Sequence, residues 1–538
     1  MTMLAMPGHV WGLVSSSVSV SQLVAAITAS VSVAINPVPH IESRLISVVQ
    51  VIAYCIARAV YNLSFHPLTK YPGPKLAAVT DLWWAYASTT GRYPWVVEDA
   101  LRQYGDVVRI APNELVFFTL QAAKDIYLAQ EKNLELFVQV GYDALDTGDG
   151  GISGETDPVK HREIAKKLAP AFSPRNFKAK EAAVQTHIDL FVQKMKDFGA
   201  REEGMELQRW SDWLALDLSA DMTYGREMGQ MRDMKDSLLL SSTLKLNLFI
   251  TLSQITRKFR LLSPLMYLAI PPSVWFALSK LIRMNSEDVK TRIERRGKTG
   301  HLDYFEQLLP ADKPVPEDRK QIYHLENVAG QLLLAQWQPL ANQFYSLIFF
   351  LLREPGAHAA LVEEVRMAFE TYDAIDTETM GGLKYLQACA QENFRLHQDT
   401  VDGLPRVSPG AVVDGAYIPQ GVTCQISYFA AARSPRFFTE PLKFRPERWL
   451  SPDHPRFDPK YKVDNLKASK PFSQGPRGCP GGAIASAVLR LFIAKVLWQF
   501  DLEAAPGQDG LSFDRDFKFM TFWERPPFWV RLTPRGRE

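Results

Sequence analysis

One short segment near the C-terminus constrains the fold of this chain more than any other. It reads Phe472-Ser-Gln-Gly475-Pro-Arg477-Gly-Cys479-Pro-Gly481-Gly482, so four of its eleven residues are glycine. Glycines leave little side-chain bulk, and backbone amides can therefore approach the cysteine sulfur closely. Such amides tune the basicity of a thiolate that binds a metal. The segment predicts a loop built around a metal-ligating Cys479; a glycine–proline loop with an incidental cysteine is the alternative.

Axial ligation of a haem iron is the chemistry that such a loop suits. A cysteine thiolate pushes electron density toward iron-bound dioxygen, which favours O–O cleavage. The Phe472 ring can shield the thiolate side of the macrocycle, and the Arg477 guanidinium can pair with a haem propionate. We therefore predict haem b as the cofactor and Cys479 as the iron ligand, in a loop that includes Phe472, Gly475, Arg477 and Gly481.

The composition excludes several other classes of protein. The 538 residues are 46% hydrophobic and 22% charged, which is ordinary for a globular chain. A formal net charge of +2 gives no electrostatic footprint for nucleic acid. The four cysteines are far apart and form no CxxC pair, so neither a disulfide framework nor a zinc site is indicated. This usage fits a reducing location that faces the cytosol.

The N-terminus differs from the rest because Lys, Arg, Asp and Glu are absent from the first 41 residues. The uncharged stretch 10–35 is long enough to span a bilayer, which takes about 20 residues. A second apolar segment, 45–57, is too short to span alone and is flanked by Arg44 and Arg58. A buried core helix and a cleaved signal peptide are the alternatives, although the chain lacks the basic n-region of a signal peptide. We predict a membrane anchor over 1–65, with the body in the cytosol by the positive-inside tendency.

The body, 66–538, opens on a proline–glycine elbow and shows no further linker. The elbow is Tyr71-Pro72-Gly73-Pro74, which cannot continue a helix. Helical periodicity dominates the body and strand-like runs are few, so the predicted fold is mainly α with a minor β part. The predicted elements include helices at 178–197 and 356–372 and strands at 106–110, 115–119, 411–418 and 422–426.

The longest predicted helix runs from about Arg319 to Arg353 and would be about 50 Å long at 1.5 Å per residue. Its middle is apolar on all sides, so it should cross the core. Pro339 lies inside it, and an interior proline removes a backbone hydrogen bond at a cost of about 3 kcal/mol. Either two helices meet at Pro339, or a kink at this position serves a purpose.

The Cys479 segment resembles the haem-binding loop of the cytochromes P450. Three other segments resemble motifs of that family and occur in the same order, namely Glu392-Asn-Phe-Arg395, Leu404-Pro-Arg406 and Phe444-Arg-Pro-Glu-Arg448-Trp. The resemblance covers roughly residue 65 to the C-terminus. It implies the cytochrome P450 fold, with a long central helix over the haem. The opening Phe65-His-Pro-Leu-Thr-Lys-Tyr-Pro-Gly-Pro is similar to fungal, endoplasmic-reticulum members that act in secondary metabolism.

The Glu392–Arg395 pair is three residues apart and therefore shares one helix face. On the surface such a pair contributes little, whereas a buried pair needs a further partner because an unpaired buried charge is costly. The resemblance implies that Arg448 is this partner and that the three residues hold the haem loop in place. A solvated helical ion pair is the alternative.

The resemblance implies two further haem contacts. Arg406 should contact a propionate, and His161 matches the first propionate-binding position of a family helix. The arginine expected four residues after that position is Ala165 here, and Arg162 or Lys166 could substitute for it. These basic residues could equally form a solvated face, or a cationic surface that steers an acidic reductase.

The largest departure from the family lies in the long helix. Family members usually read Ala-Gly-x-Glu/Asp-Thr there, whereas this chain reads Ala335-Gln-Trp337-Gln338-Pro339. Glutamine cannot relay protons as an acid, and proline offers no hydroxyl. Gln338 and Pro339 are therefore altered oxygen-activation positions, and coupling should be poor unless the substrate or ordered water supplies protons. Trp337 would narrow the pocket if it faces the haem.

Three functional hypotheses follow. The first is a haem-thiolate monooxygenase that acts on an apolar small molecule, a fungal secondary-metabolite intermediate. Its electrons would come from NADPH through NADPH–cytochrome P450 reductase, because this chain has no flavin or nicotinamide fingerprint. The second, favoured by the altered helix, is a haem-thiolate isomerase, dehydratase or ring-forming enzyme without normal oxygen activation. The third is a non-catalytic haem- or ligand-binding protein. The expected location is the endoplasmic reticulum membrane, with the catalytic domain facing the cytosol and no nucleic-acid partner.

Overall fold

The computed structural model describes residues 40–141, 149–259, 271–401 and 403–536, with only the backbone placed for 40–48 and 272. The membrane span predicted at 10–35 lies outside these described residues. The chain divides into two compact units between Thr69 and Lys70.

The first unit contains helix α1, His40–Ser64, which includes the apolar segment 45–57. From residue 49 onward its large apolar side chains are exposed rather than packed, by 45–61% for Val49, Val51, Ile52, Ile56, Val60 and Leu63. Helix α1 therefore presents apolar surface to its surroundings.

The second unit is mainly helical, as predicted. Its helices are α2 (Lys75–Val79), α3 (Leu82–Thr89), α4 (Tyr93–Tyr104), α5 (Leu120–Tyr127), α6 (Pro158–Leu168), α7 (Pro174–Phe198), α8 (Leu207–Tyr224), α9 (Gln230–Asp233), α10 (Leu238–Lys258), α11 (Pro272–Glu294), α12 (Tyr304–Leu308), α13 (Arg319–Leu351), α14 (Pro355–Ala368), α15 (Lys384–Leu396), α16 (Tyr428–Ala432), α17 (Gly482–Gln499) and α18 (Phe513–Asp516). Short 3-10 turns cover Ala169–Phe172, Tyr372–Ala374, Thr379–Gly382, Pro446–Trp449, Pro459–Val463 and Leu466–Ala468.

The strands are short and form small sheets. They are β1 (Val107–Ala111), β2 (Glu114–Phe117), β3 (Gln130–Glu131), β4 (Leu134–Glu135), β5 (Val138–Gln139), β6 (Met205–Glu206), β7 (Arg406–Val407), β8 (Ala411–Val413), β9 (Ala416–Ile418), β10 (Thr423–Ile426), β11 (Phe500–Ala504), β12 (Lys518–Phe519), β13 (Trp523–Glu524) and β14 (Trp529–Pro534). The largest sheet has the order β1-β2-β10-β7-β5. Its register sets Gln139 opposite Arg406, so two residues distant in sequence become neighbours.

Two of the predicted elements are wrong in detail. The strand predicted at 411–418 is a hairpin of β8 and β9, because Asp414 and Gly415 adopt φ angles of 48° and 78° and turn the chain. Left-handed backbone of this kind is typical of hairpin turns. The helix predicted at 356–372 is also too long, since α14 ends at Ala368.

The long helix α13 runs without interruption from Arg319 to Leu351. The prediction that two separate helices meet at Pro339 is therefore wrong. Asp318 caps its start by accepting a hydrogen bond from the Lys320 N–H at 3.1 Å. The half that follows Pro339 is buried from residue 340 to 351. The Ser219 hydroxyl of α8 donates to the Leu333 carbonyl at 2.6 Å, which ties the two core helices together.

Two helices among the described residues are long and apolar enough to cross a membrane by length and composition alone. These are α10 and α17, and most of α17 is buried in the core. Length and composition therefore do not make α17 a membrane segment, because core helices have the same character.

Candidate active site

The glycine-rich segment forms a tight loop immediately before α17. The Cys479 N–H donates to the Phe472 carbonyl at 2.8 Å, and the Gly478 N–H donates to the Gly475 carbonyl at 2.9 Å. Gly475 has a φ angle of 81°, and a Cβ atom there would overlap the carbonyl oxygen of Tyr127. Only glycine satisfies both requirements at this position, so Gly475 fixes the loop against α5.

Cys479 is exposed, in contrast to Cys389 and Cys424, which are fully buried. Burial by neighbouring atoms raises the pKa of its thiol, while hydrogen bonds from the backbone N–H groups of Gly481 and Gly482 act to lower it. A Cβ atom on Gly481 would lie 3.8 Å from the sulfur. Cys479 is thus an exposed residue whose sulfur faces backbone donors, which suits a metal-ligating thiolate.

Phe472 connects this loop to the rest of the core. Its ring lies so close to Gly482 that a Cβ atom there would come within 2.9 Å of the ring. Phe394 of α15 packs edge-on against the same ring, with centroids 4.9 Å apart. Phe394 and Phe472 therefore join α15 to the loop through an aromatic contact.

The structure brings Glu392, Arg395 and Arg448 together, with all three side chains fully buried. Arg395 donates to the two Glu392 oxygens at 2.8 and 2.7 Å, and Arg448 donates to Oε1 at 3.1 Å. Burial alone would raise the pKa of Glu392, but Arg395 and Arg448 outweigh it and hold this pKa below its usual range. Glu392 is therefore an ionised carboxylate between two cations.

Two further side chains complete this cluster, and sequence reasoning did not identify them. Asp464 forms a fully buried ion pair with Arg448, and the Trp449 indole donates to Glu392 at 2.9 Å. The cluster therefore holds two acids and two arginines and is electrically balanced, as buried charges require. Asp464 could not be found from helix periodicity because it comes from a separate loop.

Arg477, Arg406 and His161 lie in one neighbourhood and influence one another electrostatically. All three side chains are buried. Burial, together with the charge of Arg477, lowers the pKa of His161 to about 4, so this imidazole is neutral at pH 7. Arg477 is held by Glu135, whose Oε1 lies 2.5 Å from its Nε, and it donates to the Glu155 carbonyl at 2.5 Å. Sequence reasoning missed Glu135, which lies far from Arg477 in the chain.

Position 165, where the family motif has an arginine, is an alanine that borders a pocket beside this cluster. Ala165 lines a pocket of about 320 Å³ together with His161, Arg162 and Glu135. Arg162 and Lys166, the possible substitutes, are both exposed.

One face of the long helix α13 borders open space. Ala335 is exposed and Pro339, four residues later, is partly exposed, whereas Trp337 is fully buried and lines no such space. The Gln338 amide is also buried, and its Nε2 donates to the Trp523 carbonyl at 3.2 Å and to Asn342 at 3.3 Å. Of the two altered positions, Pro339 thus reaches the open face and Gln338 is held within the core.

The comparisons with known proteins agree with this architecture. The family model for cytochrome P450 matches residues 74–528. The chain therefore belongs to the cytochrome P450 family, and it is a haem-dependent monooxygenase.

Several individual relatives are similar over nearly their whole length. Cytochrome P450 monooxygenase TwmD of Talaromyces wortmannii is 46% identical over 90% of this chain and 94% of its own length. Cytochrome P450 monooxygenase poxC of Penicillium oxalicum is 35% identical over 89% and 92%. Cytochrome P450 monooxygenase btcC of Colletotrichum orbiculare is 34% identical over 90% and 92%.

The residues of the site fit a haem. A thiol with backbone donors behind it can serve as the iron ligand, and the Arg477–Arg406 neighbourhood can meet two propionates. The buried Arg477 guanidinium is already paired with Glu135, whose Oε1 lies 2.5 Å from its Nη2.

Proposed function

We propose that Cys479 is the axial thiolate ligand of the haem iron in this monooxygenase. The observation that carries the proposal is that Cys479 is an exposed residue whose sulfur is faced by the N–H groups of Gly481 and Gly482. When bound, the haem supplies the activation of dioxygen. The loop supplies a thiolate of tuned basicity in a backbone geometry that side chains would obstruct.

The propionates are held by Arg477 and Arg406, with neutral His161 as a hydrogen-bond donor. Arg406 is buried and lies in β7, opposite Gln139, which in turn accepts from Arg477 at 3.3 Å. Charge-assisted hydrogen bonds from arginine to a carboxylate are about twice as strong as neutral ones. The buried cations therefore favour a dianionic cofactor in this orientation.

Glu392, Arg395 and Arg448 hold the haem loop from behind. Their cluster fixes α15, and Phe394 of that helix packs against Phe472 of the loop. The role of the cluster is structural, because its members are fully buried and paired.

Electrons come from NADPH through NADPH–cytochrome P450 reductase. Helix α6 carries a group of exposed basic side chains, Lys160, Arg162, Lys166 and Lys167. A cationic surface attracts an acidic partner and accelerates its encounter, increasingly so at low ionic strength. The group lies on the same helix as His161, close to the propionate neighbourhood.

Residues 1–65 anchor the enzyme to the endoplasmic reticulum membrane, and residues 66–538 form the catalytic domain facing the cytosol. The uncharged stretch 10–35 and the exposed apolar side chains of α1 support this arrangement. The basic residues Arg44 and Arg58 follow the first stretch, which favours a cytosolic body.

The substrate is an apolar small molecule, an intermediate of fungal secondary metabolism. The fungal origin of the three similar monooxygenases supports this assignment. A second candidate, a haem-thiolate isomerase, dehydratase or ring-forming enzyme, is favoured by Gln338 and Pro339, which lack the usual acid and hydroxyl.

One turnover assay distinguishes the monooxygenase from the isomerase, dehydratase or ring-forming enzyme. The full chain in microsomes, with the reductase and a panel of apolar fungal metabolites, should form product only when both NADPH and dioxygen are present. Omitting NADPH and replacing air with argon are the controls. A product of unchanged mass formed without NADPH would support the second candidate and overturn the monooxygenase assignment.

A further inference from the structure

An acid and a hydroxyl stand side by side in the loop that follows α15, at Asp399 and Thr400. Both side chains are partly exposed, whereas residues 392–398 before them and Val401 after them are buried. Between Glu392 and Val401, these two residues are therefore the ones that are not fully buried. They are the same pair of functional groups that the long helix lacks at Gln338 and Pro339.

Asp399 is joined to the long helix by hydrogen bonds. Its Oδ1 accepts from Asn342 Nδ2 at 2.5 Å, and its Oδ2 accepts from Gln343 Nε2 at 3.0 Å. The Asn342 amide also donates to Gln338 Oε1 at 2.7 Å. The carboxyl group is therefore held by a chain of amides that leads to the position of the missing acid.

These amide hydrogen bonds also place Asp399 near the open face of α13. Asn342 lies three residues after Pro339 and seven after Ala335, so the three share one side of the helix. The charge of Asp399 raises the pKa of Cys479, which shows that the carboxyl group lies within electrostatic range of the sulfur. Asp399 thus contacts the long helix and lies within electrostatic range of the Cys479 loop.

The surroundings of Asp399 favour its protonated form near neutrality. Burial raises its pKa to about 7, while the amides of Asn342 and Gln343 and the charge of Arg525 act to lower it. Arg525 is itself paired with Asp212 at 2.6 Å, which limits its effect. His397 stays neutral, because burial lowers its pKa to about 3. An acid in this range both releases and regains a proton at physiological pH.

We propose that Asp399 supplies protons to the reaction, with Thr400 holding the water that carries them, in place of the acid–threonine pair absent from the long helix. This inference rests on the proposed monooxygenase function. In the usual family motif the proton-delivering residues lie on the long helix, whereas Asp399 lies in the loop that follows α15.

The step balances as a proton transfer without electron movement. The O–H bond of protonated Asp399 breaks, and a new O–H bond forms on the water beside Thr400. That water passes one of its own protons to the oxygen atom that leaves as water, and a second transfer of the same kind supplies the other proton that this oxygen needs. Asp399 remains as a carboxylate and is protonated again from solvent, while the electrons of the reaction come from NADPH.

A purely structural role for Asp399 would be to brace α13 through the same two amides. Three variants separate the two roles. Asp399→Asn removes the acid and keeps the size, Asp399→Glu restores an acid, and Asn342→Ala breaks one brace while the acid remains. All three are measured as full-chain holoenzymes that show the Soret band of a thiolate-ligated ferrous carbon monoxide complex.

The first readout is the ratio of product formed to NADPH consumed. General acids contribute about 10²–10⁴-fold to such steps, and water substitutes in part, so Asp399→Asn should lower this ratio at least about 10-fold. Asp399→Glu should recover most of it. Adding Gln338→Glu and Pro339→Thr to Asp399→Asn should also recover coupling, because the helix then carries its own pair.

The second readout does not depend on turnover. Infrared difference spectra should show the carbonyl stretch of a protonated carboxylic acid that titrates near pH 7 in the wild type and in Asp399→Glu. The band should be absent from Asp399→Asn. A wild-type protein without this band would overturn the proposal even if the enzyme turned over normally.

Other outcomes are equally decisive. Unchanged coupling in Asp399→Asn, or an equal loss in Asn342→Ala with the infrared band intact, would show a bracing role and overturn the proposal. A wild-type enzyme with no NADPH-dependent product would instead refute the proposed function. In that case the infrared titration alone decides whether Asp399 is an acid that titrates near pH 7.

Discussion

The substitution Glu392→Ala tests the buried charge cluster most severely. It removes the acceptor of two hydrogen bonds from Arg395 and one each from Arg448, Trp449 and the Arg445 N–H. Arg448 would keep its ion pair with Asp464, whereas Arg395 would keep only backbone carbonyl acceptors, so one buried positive charge would lack a charged partner. Breaking a buried ion pair from one side costs about 3–5 kcal/mol. We expect a loss of this size in the free energy of unfolding.

The assay is guanidinium denaturation of the detergent-solubilised full chain, followed by tryptophan fluorescence, with the haem content measured after purification. Haem should be lost, because α15 reaches the loop through the contact between Phe394 and Phe472. The matched control is Asp99→Ala, which breaks an exposed 3.3 Å pair with Arg102 and should cost at most about 1 kcal/mol. A fully haem-loaded Glu392→Ala protein that is as stable as the control would refute the reasoning.

Two further predictions concern the loop and the N-terminus. Gly475→Ala should destabilise the protein and lower its haem content far more than Gly507→Ala, because both have a φ angle near 80° but only the first Cβ would meet the Tyr127 carbonyl. Equal haem content in the two purified variants would contradict this. Removing residues 1–65 should shift much of the protein from the microsomal pellet to the soluble fraction in high-speed sedimentation, and an intact chain that is already soluble would rule out the anchor.

Local patterns in the sequence predicted the main elements well. Apolar periodicity located the long helix to within two residues of its observed end, at Leu351 rather than Arg353. The 3.6-residue period is a local property and survives in the folded chain. The hairpin at 411–418 was missed because alternating apolar residues continue through the Asp414–Gly415 turn, and only the backbone angles reveal the reversal.

Contacts between distant segments were predicted less completely. The family motifs predicted that Glu392 and Arg448 lie together. No local pattern in the sequence indicates which residues pair with Asp464 and Glu135. Asp399 was overlooked for the same reason, since its hydrogen bonds reach 57 residues back to Asn342. Buried charges need partners of opposite sign, yet the sequence does not state which element supplies them. The departures from the family motif were visible, whereas the compensating residues were not.

The central claim is that the Cys479 sulfur binds the iron. It is tested most directly by the absorption spectrum of the ferrous carbon monoxide complex, in the wild type and in Cys479→Ser. The wild type should show the far-red-shifted Soret band of a thiolate-ligated haem, because the sulfur of the exposed Cys479 faces the Gly481 and Gly482 amides. The variant should lack this band even when haem is supplied in excess. A Cys479→Ser protein that keeps the band would show that another residue provides the thiolate.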